Sequence, residues 1–265
     1  MSFLVAATRW GASLDAVIAE CAPVLGLSEY DTRLRLAGPL PVVVAGGIEE
    51  TPARELLGWL RERGHGAVAC PEASLPAPER VLWPRAFEFA EGAFVAFDAQ
   101  GQRYPLAYTD ILAIVRARVI RDVQTTVVAV ERKFSLGRSM LTGGLMPRRG
   151  VERIEHANAS DRDDVVYLFR GAGPDPMALR AGLLAYDGLH AHRRATARES
   201  FGIVVDWLRQ RAPGAIHDER LLAERRRPVV RGAGGGSRLV MDASNEDATT
   251  TAAFLLVHAH LQRQL

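Results

Sequence analysis

The chain has 265 residues, 48% of them hydrophobic and 24% charged, which is enough apolar material for one large domain or two ordinary ones and excludes an intrinsically disordered chain. A net charge of +2 argues neither for nor against a nucleic-acid partner, and the two cysteines, Cys21 and Cys70, exclude a dense disulfide framework and point to a reducing compartment. No run reaches the ~18 apolar residues of a membrane span, and the N-terminus lacks the basic and apolar regions of a signal peptide, so a cytoplasmic protein is expected.

In chain order, residues 3–7 read as a strand. Ser13 then caps a helix whose apolar face is Leu14, Val17, Ile18, Cys21 and Leu25, with Gly26 placed to end it. Ser28 caps a second helix through Tyr30 and Leu34. The run 41–45 (PVVVA) is a buried strand. Thr51-Pro52 looks like a cap followed by a first-turn proline, opening a helix with Leu56, Leu57 and Leu60 inward and Gly64 as its stop. Residues 67–70 form a third strand. The order over residues 1–71 is therefore βααβαβ.

That order, the Leu25-Gly26-Leu27 turn and the helix 53–63 with its glycine stop resemble the C-terminal domain of the bacterial ribosomal stalk protein. The resemblance implies a fold and a binding face made by a helical pair. In that family the face carries lysine. Here the second helix carries Glu29, Asp31, Arg33 and Arg35, so translation-factor binding does not follow.

Pro71, Pro76, Pro78 and Pro84 mark residues 72–85 as a semi-rigid linker. Residues 86–222 then read as a β-rich domain. Short strands at 87–89 and 94–97 flank Glu91-Gly92, a hairpin signal, and 104–106 follows the turn 99–102. Residues 111–131 read as two strands joined near 122–125. Residues 151–156 and 165–169 are further strands separated by a polar turn at 158–164, and 181–185 is another candidate. Residues 196–211 form the clearest helix, with Phe201, Val204, Val205 and Leu208 inward, and 216–222 reads as a helical turn. About seven strands and one closing helix resemble a pleckstrin-homology-like barrel. The expected class is α+β: a small βααβαβ domain followed by an antiparallel β-barrel or sheet domain with a closing C-terminal helix. Residues 223–265 are expected as a flexible linker, rich in arginine and glycine, and a terminal helix capped by Ser244.

The loop 135–150 holds the chemistry most open to a partner. Met140, Leu141 and Leu145 stand among Arg138, Arg148 and Arg149, and Gly137, Gly143 and Gly144 make the loop pliable. Apolar tips flanked by arginines suit docking on another protein, or contact with an anionic membrane surface. Just before it, Glu131-Arg132-Lys133 closes an apolar run. With Asp110 or Asp122 upstream, this resembles the D…(D/E)-x-K arrangement of magnesium-dependent nucleases, which implies carboxylates holding the metal and Lys133 positioning water. No glycine-rich phosphate loop, dinucleotide fingerprint, nucleophile elbow or C-x-x-C is present. His190 and His192 share a face if extended. His258 and His260 on a helix diverge by ~200° and cannot share a metal. No cofactor and no metal are expected. The preferred reading is an interaction protein that binds through the helical pair and the loop; the alternative is the nuclease.

Overall fold

The computed structural model describes residues 1–131, 151–171, 175–223 and 246–265; for 120–131 and 151–161 it describes the backbone. The class is α+β, as expected.

The first part has the expected βααβαβ order: β1 (Phe3–Arg9), α1 (Leu14–Leu25), α2 (Glu29–Leu36), β2 (Val42–Ile48), α3 (Glu50–Glu62) and β3 (Gly66–Pro71). The local signals explain it. The Ser13 and Ser28 side chains accept hydrogen bonds from the Ala16 and Asp31 amides, and Gly26 ends α1 at φ 64°, a left-handed value open to glycine. One expectation needs correcting. The helix α3 starts at Glu50, so Thr51 is not its cap. Its inward residues are Ala53, Leu56 and Leu60, while Leu57 is only half-buried on the flank. The strand β1 is central, antiparallel to both β2 and β3.

Residues 72–85 make two 3-10 turns and pack onto the body: Val81 is buried, Leu75 and Trp83 lie against the same core, and Leu82 bridges to the later strand residue Met177. An antiparallel sheet follows, β4 (Ala86–Phe89), β5 (Ala93–Phe97) and β6 (Arg103–Ala107), with the expected turn at Glu91-Gly92. A second sheet has the order β10-β7-β8-β9, built from β7 (Ile111–Glu131), β8 (Val151–Arg170), β9 (Met177–Arg180) and β10 (Ile216–Leu221).

Five sequence expectations change here. Residues 111–131 are one strand, not two, because nothing in 122–125 is glycine or proline and the extended backbone runs on. Likewise 158–164 continues β8 instead of turning, held by a continuous ladder to β7. Residues 216–221 are a strand, parallel to β7, and not a helical turn. The edge strand is 177–180, with 181–185 beyond it. Among the described residues the strands form three separate sheets and do not close into a barrel.

Helix α4 (Ala197–Arg211) carries a capping box between Thr196 and Glu199 and buries Phe201, Val204, Val205 and Leu208 against β4–β6 and one face of the β7–β8 sheet. Helix α5 (Glu246–Leu261) is different. Ala252, Ala253, Phe254, Leu255, Leu256 and Val257 are buried consecutively. A helix apolar all round belongs inside, not on a surface. One side of α5 meets Leu4, Ala6, Val68 and Cys70 of the first sheet. The rest meets Val115, Val119, Tyr167 and Phe169 of the second. The molecule is thus layered: helices α1–α3, the β2-β1-β3 sheet, α5, the β10-β7-β8-β9 sheet, then α4 with β4–β6. At the far end of α5 the Gln264 carbonyl accepts from Thr8 Oγ1, and it lies so near Gly66 that a Cβ there would sit 2.5 Å away.

Candidate functional site

Four places in the fold bring chemistry-bearing residues together or set them apart. The first is the distal part of the β7–β8 hairpin. The strand β10 pairs with β7 only between Ala113 and Ala117, and β9 pairs with β8 only between Val165 and Leu168. From Ile120↔Arg162 to Glu131↔Val151 the two strands pair with each other alone among the described residues. At ~3.3 Å per residue this two-stranded ribbon is roughly 40 Å long. The loop residues Arg138, Met140, Leu141, Leu145, Arg148 and Arg149, and Lys133, lie outside the described residues.

The ribbon also separates the proposed carboxylates. Asp110 immediately precedes β7 and Glu131 ends it. At ~3.3 Å per residue they stand roughly 65–70 Å apart along the strand. Two carboxylates that share a magnesium ion each need an oxygen about 2 Å from it. Asp110 and Glu131 are therefore not a pair. Among the described residues no cluster of three His, Cys, Asp or Glu side chains can hold a metal. The histidines have other roles: His192 meets Trp207 edge-on at 5.1 Å, and His258 packs on Phe254 at 4.4 Å. Burial pushes the Cys21 thiol up to about 11 and raises that of Cys70 as well, so neither is a thiolate nucleophile at neutral pH.

The helical face of the first part is the second place. Tyr30 and Leu34, one turn apart on α2, are exposed, and so are Val24 on α1 and Val43 on β2. An open groove of about 690 Å³ runs between α1 and α3, past Trp59 and Glu62. The Arg63 guanidinium lies 4.1 Å from the Trp59 ring centroid, and its Nε is 3.3 Å from Glu20. The basic charges of α2 are already engaged. Arg33 pairs with Asp15 at 2.6 Å, and Arg35 donates to the Val44 carbonyl at 3.3 Å. On the same edge strand, Gly47 N–H donates to Glu72 at 2.6 Å. Side chains of the chain itself thus occupy part of the β2 edge, which blunts it against strand addition.

The third place joins α5 to β10. The Asp218 side chain is 2% exposed, and its Oδ2 accepts from His260 Nε2 at 2.8 Å and from Arg220 Nη2 at 2.5 Å. Burial alone would raise this carboxyl. The hydrogen bonds from Arg220 and His260 outweigh it and hold the pKa below the usual carboxylate value. A carboxylate with a depressed folded pKa contributes stability above its unfolded pKa, and that contribution fades as pH falls through the folded one. Asp218→Asn is accordingly expected to cost about 1.5–3 kcal/mol at pH 7. The gap to the unsubstituted chain should narrow below pH ~4. Urea melts at pH 7 and pH 3 test this; an equal gap at both would rule out the charged form as the cause.

The fourth place is a cleft of about 180 Å³ between residues 75–83 and the first turns of α5, walled by Leu75, Pro76, Pro78, Val81 and Trp83 on one side and Glu246, Asp247, Thr250 and Thr251 on the other. Behind it Arg180 is 3% exposed. It forms an ion pair with Glu246 and lies 3.9 Å from Asp163, and its guanidinium sits 4.6 Å from the Trp83 ring centroid. Thr250 Oγ1 donates to the buried Tyr167 hydroxyl at 3.2 Å. The sequence reading passed over this cleft because it treated 72–85 as a linker. The available signal was Trp83, a large aromatic amid prolines where a solvated linker has no use for one.

No protein-family model, curated protein or solved structure matches this chain.

Proposed function

We propose that the chain is a non-enzymatic interaction protein that binds another protein through the loop at the end of the β7–β8 ribbon, with the Tyr30 and Leu34 face as a second surface. The observation that carries the reading is the ribbon, which pairs with no third strand over residues 120–131 among the described residues. A two-stranded hairpin alone is at best marginally stable in water. A long one is worth keeping where a partner completes it. The loop it bears offers Met140, Leu141 and Leu145 as apolar anchors, with Arg138, Arg148 and Arg149 around them to steer an acidic surface. The separation of Asp110 from Glu131 weighs against the nuclease alternative.

The test uses a photo-crosslinking residue at position 141 or 145 of the full chain in cell extract. Discrete protein adducts are expected. Changing Arg138, Arg148 and Arg149 together to serine should reduce them most at low salt, since exposed charges are screened over about 8–10 Å at ordinary ionic strength. A chain with residues 124–158 replaced by an Asn-Gly turn should keep its melting temperature and form no adducts. Sedimentation of the intact chain with phosphatidylglycerol vesicles, and no adducts, would replace the protein partner with a membrane. Magnesium-dependent DNA cleavage that Lys133→Ala abolishes would establish the nuclease instead.

A further inference from the structure

The cleft beside Trp83 is small, and its walls are chemically one-sided. Its volume of about 180 Å³ falls short of the ~300 Å³ at which pockets for drug-sized ligands begin. At ~30 Å³ per water it holds roughly six waters' worth of matter, about one long side chain. Pro76, Pro78 and Trp83 offer an apolar wall, and the prolines hold their backbone at a fixed φ. Among the described residues the ionisable groups in the lining are Glu246 and Asp247, both acidic. Glu246 is paired with Arg180. Asp247 is exposed and makes no ion pair within the described residues. The Asp247 carboxylate disfavours an anion here, against the opposite pull of the α5 N-terminus. A wholly apolar occupant would strip water from the Asp247 carboxylate and return nothing. An aliphatic stem that ends in a cation satisfies both walls. The Trp83 indole already holds one guanidinium, that of Arg180, so its ring face is a surface on which cations rest.

We propose that this cleft is a binding subsite for one cationic group on an aliphatic stem, a guanidinium or ammonium, with the stem against Pro76, Pro78 and Trp83 and the head at Asp247 and the Thr251 hydroxyl. The site is separate from the ribbon and its loop, and it stands or falls independently of them.

The experiment titrates the full, ¹⁵N-labelled chain with N-acetyl-arginine amide, N-acetyl-lysine amide and the uncharged N-acetyl-norleucine amide. The readout is the Trp83 indole N–H resonance, assigned with Trp83→Phe. A saturable shift is expected with the two cationic probes and none with norleucine amide. Asp247→Asn, an exposed change that should leave the melting temperature unaltered, is expected to weaken the cationic probes by about tenfold, the scale of one charge-assisted hydrogen bond. Asp247→Lys should abolish their binding. Agmatine separates the two sources of such a group. If it binds more tightly than capped arginine, the natural occupant is a free base; if more weakly, it is a side chain of a protein. Equal shifts with norleucine amide, no saturable shift with any probe, or unchanged binding by Asp247→Asn would each overturn the proposal.

Discussion

A chain that ends at residue 245 will not fold cooperatively. Helix α5 fills the space between two sheets, and its removal uncovers both at once. Phe254, Leu255, Leu256 and Val257 are each almost completely buried, against Leu4, Ala6 and Val68 on one sheet and Val115, Tyr167 and Phe169 on the other. Truncating one such side chain to alanine costs about 2–5 kcal/mol, so the loss of four of them meets or exceeds the roughly 5–15 kcal/mol that holds an ordinary domain folded. The single substitution Leu255→Ala should lower the stability by about 2–5 kcal/mol with an unchanged denaturant slope. Urea melts followed by circular dichroism will show one cooperative transition for the intact chain and none for the truncated one. A peptide of residues 246–265 added in trans should restore part of it. If the truncated chain unfolds cooperatively within about 1 kcal/mol of the intact one, α5 is an appendage and the layered core is wrong.

The same helix shows where sequence reading reached and where it stopped. The elements of residues 1–71 were legible because their signals are local: a serine three residues before the amide it caps, a glycine where φ must be positive, leucines at helical spacing. The hairpin at Glu91-Gly92 and the capping box at Thr196 and Glu199 were legible for the same reason. The identity of the partner of each strand was not, because pairing between residues about 100 apart, as in β10 with β7, leaves no local mark. The continuous ladder through 158–164 was hidden by its turn-like composition, since Asn158, Ser160 and the aspartates are common in turns yet are held extended here by the β7 partner. The position of α5 did leave a mark. Six consecutive apolar residues at 252–257 leave no polar stripe, and a helix without one is surrounded. As for sites, the distance between Asp110 and Glu131 follows from a strand whose length the sequence did not show, and the cleft beside Trp83 was concealed in a segment whose prolines read as a linker.

The second large effect is expected at Arg180, which sits at the junction of three elements. Its side chain is 3% exposed, so the charge has no access to water and depends wholly on its neighbours. Glu246 of α5 pairs with it directly, Asp163 of β8 stands 3.9 Å from its Nε, and the Trp83 ring lies beneath the guanidinium. Asp163 has other support, since both its carboxylate oxygens accept from the Gly182 amide, at 3.0 and 3.2 Å. Removal of the guanidinium takes an ion-pair partner from Glu246, in the first turn of the helix that the core is built around. Breaking a buried pair from one side costs about 3–5 kcal/mol. Arg180→Ala should show a loss of that size, and Glu246→Gln a smaller one, as its carboxylate is only partly enclosed. Combining the two should cost less than their sum, since both changes remove the same ion pair. A buried pair is weakly screened, so the losses should hold between 0.05 and 1 M salt, across which the Debye length falls to about 3 Å. Urea melts of the four chains at both salt concentrations give the coupling directly. Strict additivity, or a loss for Arg180→Ala below about 1 kcal/mol, would mean that the guanidinium is held by packing on Trp83 and not by its ion pair with Glu246.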